Sequence, residues 1–224
     1  MGLVNSETER LKIPFLEEEV FATLSDLGKD KAPSSDGFNM AFWFFCWDVM
    51  KVEVMGVFRD FHEIDRFIKS LNVISLVLVP NKGSAKDLED FRPISLVGNR
   101  YKLLAKVFAN RIKKVMDKVI SESQNSFVEG RQILYVVLIT NEVVDSRLKN
   151  NESGVLCKLD IEKAYDHVNW KFLMAVLRKM GFGEKWIKWI DRCISIVKFF
   201  VLINGSETSR FSPSLFVRDS HGGI

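Results

Sequence analysis

Cysteine, histidine and proline are all scarce in this chain of 224 residues, at three, three and five. Cys46, Cys157 and Cys193 are odd in number and far apart, which excludes a disulfide framework and a paired-thiol zinc site. Three reduced, buried thiols are the expectation. His62, His167 and His221 are equally scattered, so a histidine-based zinc centre is excluded too. Long apolar runs are missing as well. A membrane span needs about 20 apolar residues, whereas the nearest run, "FNMAFWFFCWDVM", is shorter and carries Asp48. It reads as buried helix, and no membrane contact is expected. The start "MGLVNSETERLK" has neither a cationic beginning nor an apolar core, so no secretory leader is read and an intracellular, non-secreted chain is expected. No internal repeat, low-complexity tract or long linker divides the sequence.

What is present is a globular composition, with 47% apolar residues and 18 phenylalanines, enough to bury a real core. The net charge of +3 conceals an uneven distribution. From Arg92 to Lys118 eight basic residues (Arg92, Arg100, Lys102, Lys106, Arg111, Lys113, Lys114, Lys118) face Asp117 alone, a local +7 that leaves −4 for the rest. Such a field attracts polyanions, nucleic acid first among them, although a solvated helix face fits the same charges.

Hydrophobic periodicity outlines the elements. "FLEEEVFATLSDLG" places Phe15, Val20, Leu24 and Leu27 at helical spacing, with acids in the first turn and Gly28 past the end. The aromatic-rich stretch from Phe38 to about Phe67 reads as one or two buried helices. "NVISLVLVP" is a strand halted by Pro80, and "NKGSAKDLEDFRP" a loop. In the basic segment Leu104, Val107, Phe108, Ile112, Val115, Met116 and Val119 form an apolar stripe, with Lys102, Lys106 and Lys113 together on another side. A further helix follows Gly130, "VLCKLD" reads as a short strand, and two more helices are separated by Gly181. In "FFVLINGSETSRF", Asn204-Gly205 is the strongest hairpin signal of the chain. Helices and strands mix without regular alternation, which argues for an α+β fold.

The apolar run ending at Asp160 raises a chemical question. An aspartate at a strand end fits three roles: capping the next helix, pairing with a neighbour such as Lys163, or holding a metal. Mg²⁺ takes one or two carboxylates plus phosphate oxygens and water, so a nucleotide-polymerising site needs acids on rigid strands beside room for a triphosphate.

"KLDIEKAYDHVNW" resembles the first catalytic motif of reverse transcriptases from non-LTR, LINE-type retrotransposons, the plant versions in particular. "KAPSSDGF", "VLVPNKG", "DFRPISLVGNRYKLLAKVFANRI", "SQNSFVEGRQI", "KMGFGEKWIKWI" and "VLINGS" are similar to successive family blocks, in order, from about Leu11 to Phe211. The resemblance implies a right-hand polymerase fold with fingers and an incomplete palm over 13–211, helix-rich with a small antiparallel sheet. Residues 1–12 would be a flexible lead-in and 212–224 a divergent tail. It implies RNA-directed DNA synthesis from an RNA template, a DNA primer and deoxynucleoside triphosphates, with Mg²⁺ as cofactor. By the same resemblance Asp160 is the first metal-binding aspartate and the carbonyl of Ile161 a further ligand. Tyr165 takes the position that excludes a ribose 2′-hydroxyl, and Lys82 and Arg92 those that grip the triphosphate. Gln124, Phe127, Gly130 and Arg131 match a block near template and primer, so Arg131 joins Lys102, Lys106 and Lys113 as a nucleic-acid contact. Glu162 and Asp166 are left as structural, Asp166 as a cap for the helix before Trp170.

The family pattern fails after Phe211. A glycine-rich block and then two adjacent aspartates are due, but the chain reads "RFSPSLFVRDSHGGI", as if the front of that block were deleted. "KAPSSDGF" also lacks the usual Gly-Pro pair. Two-metal phosphoryl transfer without the second pair of carboxylates holds neither ion, so this chain is expected to be inactive as a polymerase. A non-catalytic nucleic-acid binder, or an inert remnant, is the other reading.

Overall fold

The computed structural model describes residues 2–28, 33, 37–64, 73–159, 167–195, 198–203 and 206–211, and the chain divides into two compact units.

One unit comprises 12–110 and 188–224. Its helices are α2 (Glu17–Asp26), α3 (Met40–Phe45), α4 (Trp47–Ile64) and the first half of α5 (Asn99–Val119), which follow α1 (Asn5–Leu11) of the other unit in the chain. Asn39 caps α3, its side-chain oxygen accepting from the Phe42 amide at 2.9 Å. The periodic residues Val20 and Leu24 are completely buried, as are Phe58 and Phe61 on one face of α4. Phe15 packs edge-on against Phe58 and Phe108 at ring separations of 5.2 and 5.9 Å, and Trp189 lies 5.7 Å from both Phe15 and Phe61. Each such ring contributes about 1.5–3 kcal/mol by leaving water, so this cluster is the core of the unit. The opposite face of α3 and α4 stays open, with Phe45, Val49 and Val52 more than three-quarters exposed. The aromatic stretch is thus buried along one stripe only.

The sheet of this unit has four strands in the order β2-β1-β3-β4: β1 (Val73–Pro80), β2 (Phe91–Val97), β3 (Lys198–Ile203) and β4 (Ser206–Phe211). β1 and β2 are antiparallel, as are β3 and β4 around the Asn-Gly step, with Ile203 opposite Ser206. β1 and β3, however, run parallel, Val73 opposite Lys198. The expected antiparallel sheet is therefore a mixed one, because two hairpins are joined side by side through their first strands. Pro93 lies in β2, which is the sheet edge, where its missing N–H deprives no neighbour.

The other unit comprises 1–11 and 111–187. The expected lead-in is a helix, α1 (Asn5–Leu11), with Leu11 buried. The Leu3 amide donates to Met180 O at 2.8 Å, the Thr8 hydroxyl to Gly181 O at 3.2 Å, and Glu7 pairs with Lys118. Those bonds order a stretch whose sequence shows little apolar period. Arg111, counted above with the surface cations, is only 4% exposed and donates to Leu11 O at 3.0 Å. It follows Val107 by four and Phe108 by three residues, which puts it on the apolar stripe.

Later in this unit come α6 (Ile133–Lys149), α7 (Trp170–Lys179) and α8 (Glu184–Ser195), the last shared between the units. α7 is capped by Asn169, whose side chain accepts from the Phe172 amide at 3.0 Å, so the cap is Asn169 rather than Asp166. It ends as Gly181 turns left-handed at φ 86°. The expected strand "VLCKL" has no regular secondary structure and pairs with no strand among the described residues; Val155 and Leu159 are 97% and 86% exposed. Cys157 is exposed there and Cys46 and Cys193 are only half-buried, against the expectation of three buried thiols. α6 also buries none of its side chains. Among the described residues no helix is long and apolar enough to cross a membrane.

Candidate nucleotide-binding hairpin

β1 and β2 bring the two triphosphate candidates to one end of a hairpin. Register pairs Pro80 with Phe91 and Val79 with Arg92, so Arg92 stands one step inside the strand end, exposed, on the same face as Val79. Lys82 is the second residue of the connecting loop and is more than half exposed. A lysine point charge and an arginine fork thus flank one loop mouth, a pairing suited to phosphate oxygens.

The loop is closed around Asp90. Its main chain accepts from the Asn81 amide at 2.8 Å and donates to Asp87 O at 2.9 Å. One carboxylate oxygen meets Lys82 Nζ at 2.6 Å, and the other accepts from the amides of Lys86 at 3.1 Å and Asp87 at 3.4 Å. The Lys82 bond first, then those amides, hold the Asp90 carboxyl below the usual carboxylate range. Sequence reasoning passed over Asp90, although an acid eight positions after Lys82, just before the second strand, was the available signal.

The remaining candidates are placed less uniformly. On α5, Lys102 and Lys106 are half-buried in one unit, and Lys113 is exposed in the other. Arg131 turns its guanidinium onto the loop after α5, donating to Ser121 O at 2.5 Å, Gln124 O at 2.8 Å and Asp117 O at 3.4 Å. The structure thus uses it to cap α5 and shape 120–131. Beside it Phe127 is 88% exposed and left-handed at φ 65°, an uncommon state for a non-glycine residue. Asp160, Ile161 and Tyr165, with Glu162, Lys163 and Asp166, lie outside the described residues. Among the described residues no three His, Cys, Asp or Glu side chains converge to hold a metal ion.

Residues 79–217 match the family described as reverse transcriptase (RNA-dependent DNA polymerase). Three curated relatives are similar over nearly the whole chain. A transposon TX1 uncharacterized 149 kDa protein from Xenopus laevis is 28% identical over 90% of this chain and 15% of its own length. A retrovirus-related Pol polyprotein from type-1 retrotransposable element R2 of Popillia japonica is 20% identical over 88% of this chain and 27% of its own. The RNA-directed DNA polymerase from mobile element jockey of Drosophila funebris is 24% identical over 91% of this chain and 24% of its own. The chain therefore spans about a quarter or less of the relatives it matches.

Proposed function

The chain belongs to the reverse transcriptase (RNA-dependent DNA polymerase) family, and on that premise we propose that it is the triphosphate- and template-binding part of a non-LTR retrotransposon polymerase, of the plant type, without polymerase activity in its present form. The observation that carries this reading is the β1–β2 hairpin, whose loop and second strand lie within the family match and which sets Lys82 and Arg92 at one end. In this reading the hairpin belongs to the fingers, and "VLCKLD" leads into the palm. Lys82 and Arg92 bind the triphosphate of an incoming deoxynucleotide, Tyr165 excludes a 2′-hydroxyl, and α5 with Lys102, Lys106 and Lys113 follows the RNA template and DNA primer. Arg131 contributes by holding the loop that carries Gln124 and Phe127.

The carboxylate of Asp160 and the carbonyl of Ile161 are hard oxygen donors of the type Mg²⁺ takes, but two donors fall short of its octahedral shell. No two aspartates are adjacent anywhere in the chain. Bound Mg²⁺ would supply Lewis-acid activation of a primer hydroxyl and neutralise phosphoryl charge; Asp160 and Ile161 alone do not complete the donor set for it.

Primer extension tests the reading. The chain alone should extend nothing with Mg²⁺ or Mn²⁺, whereas fusing a relative's segment from the glycine-rich block through the aspartate pair after Phe211 should restore extension. In that chimera Asp160→Asn should abolish synthesis and Tyr165→Val should admit ribonucleotides. An active chimera indifferent to Asp160→Asn would overturn the metal assignment.

A further inference from the structure

The β1–β2 loop hangs on one residue to which the reading above gives no role. Asp90 engages Asn81 through its carbonyl, Asp87 through its amide, Lys82 through one carboxylate oxygen, and the Lys86 and Asp87 amides through the other. An ordinary surface ion pair contributes little, because two long side chains must be ordered in water. Here one partner is already fixed. Asp90 is short, its side chain is 16% exposed, and four backbone bonds to the carboxylate and its own main chain hold it before the lysine arrives. Lys82 meets this fixed carboxylate at the mouth of the hairpin where Arg92 also stands.

We propose that Asp90 is the positioning residue of the triphosphate site: it fixes the loop and holds the Lys82 ammonium beside Arg92 before the anion binds. This rests on the nucleotide reading of Lys82 and Arg92. A polyphosphate can share the ammonium's three donors with the carboxylate, so the pair need not break on binding. The sign of the effect makes the role testable. By charge alone, removing a carboxylate from beside an anion site tightens binding a few-fold. By position, releasing a four-bond lysine stem and its loop weakens it, as misplaced binding groups do.

The test uses the whole chain and inorganic tripolyphosphate, titrated calorimetrically at low salt. Lys82→Ala and Arg92→Ala should each weaken binding, and Asp90→Asn, which keeps an acceptor for the loop amides, should weaken it roughly tenfold. Asp90→Glu should recover part of that loss. If Asp90→Asn binds equally well or more tightly while Lys82→Ala still weakens binding, the positioning role falls and the nucleotide reading stands. If the chain does not bind tripolyphosphate, or neither Lys82→Ala nor Arg92→Ala matters, the nucleotide reading falls and the positioning role with it. Competitive acylation followed by mass spectrometry supplies a readout that loop loosening would not move. In the unaltered chain Lys82, whose Nζ is held against the Asp90 carboxylate at 2.6 Å, should react several-fold more slowly than Lys86 of the same loop, and in Asp90→Asn the two should converge. Equal reactivity in the unaltered chain, or a ratio unchanged by Asp90→Asn, would overturn the proposal.

Discussion

Gly181→Ala separates two costs that the α7–α8 turn imposes on one atom. Gly181 sits at φ +86°, where an L side chain costs about 1–2 kcal/mol. A Cβ there would also lie 3.1 Å from both the nitrogen and the oxygen of Leu3, backbone atoms tied to the same turn by the Leu3-to-Met180 bond. Since backbone yields less readily than a side-chain tip, overpacking adds about 1 kcal/mol. The two together should destabilise by roughly 2–3 kcal/mol. In urea, at a slope of about 2 kcal/mol/M, the midpoint should fall by about 1–1.5 M. Tryptophan fluorescence reads the transition, since Trp186 is buried within the same unit. The decisive comparison is the same substitution in a chain starting at Val4. The contact with Leu3 is then gone and only the conformational cost of about 1–2 kcal/mol remains. A penalty of equal size in both chains would refute the packing of the N-terminal segment on this turn, and no penalty in either would refute the left-handed turn.

Asn169→Ala removes the α7 cap and should cost about 1 kcal/mol in the same urea assay. Tyr101 donates to Cys193 O at 2.9 Å, and burial first, then Cys193, pushes its phenol up to about 12. A raised folded-state value means stability that is complete below the ordinary value of 10 and lost as pH rises toward 12; absorbance at alkaline pH should show one of three tyrosines ionising late. Glu7 and Asp90 are held low, chiefly by Lys118 and Lys82 respectively. Their contribution is present above the ordinary values of 4.5 and 3.8 and is lost as pH falls through the lowered ones, so Glu7→Gln should flatten the acid limb of the stability profile. Nucleic-acid affinity should fall linearly with salt on logarithmic axes, and replacing Lys102, Lys106 and Lys113 by Gln should lower that slope by at most about 2–3; an unchanged slope refutes the cationic helix as the contact.

Local rules read well where local physics decides. The α5 stripe, the stop at Gly181 and the Asn-Gly hairpin each rest on residues within a few positions of one another, and each is found. Arg111 was misplaced because residue type was weighed over helical phase; its own spacing from Val107 and Phe108 pointed inward. Long-range pairing was not legible at all. Nothing in "NVISLVLVP" says that its partner is Lys198–Ile203, or that the two run parallel. α1 is ordered by bonds to residues 111–187, so its short sequence carries little sign of order. Of the candidate site, β1 and the loop behind Pro80 were legible, but "NKGSAKDLEDFRP" reads as loop to its end, so β2 (Phe91–Val97), which carries Arg92, was not, because its pairing with β1 is not written in its own residues; the knot at Asp90 likewise depends on where two amides point.

The place of β1 in the sheet also sets an order of events during synthesis. β1 and β2 leave the ribosome close together and can pair at once, bringing the Lys82–Arg92 end of the hairpin into being early. The other edge of β1 waits for β3, about 125 residues later, which at 5–20 residues per second is roughly 6–25 s. During that interval the open edge is a row of unpaired amides and carbonyls flanked by Ile74, Leu76 and Leu78. A nascent chain stalled before Lys198 should therefore be bound by chaperones and prone to aggregation, while one released after Phe211 has both hairpins in hand.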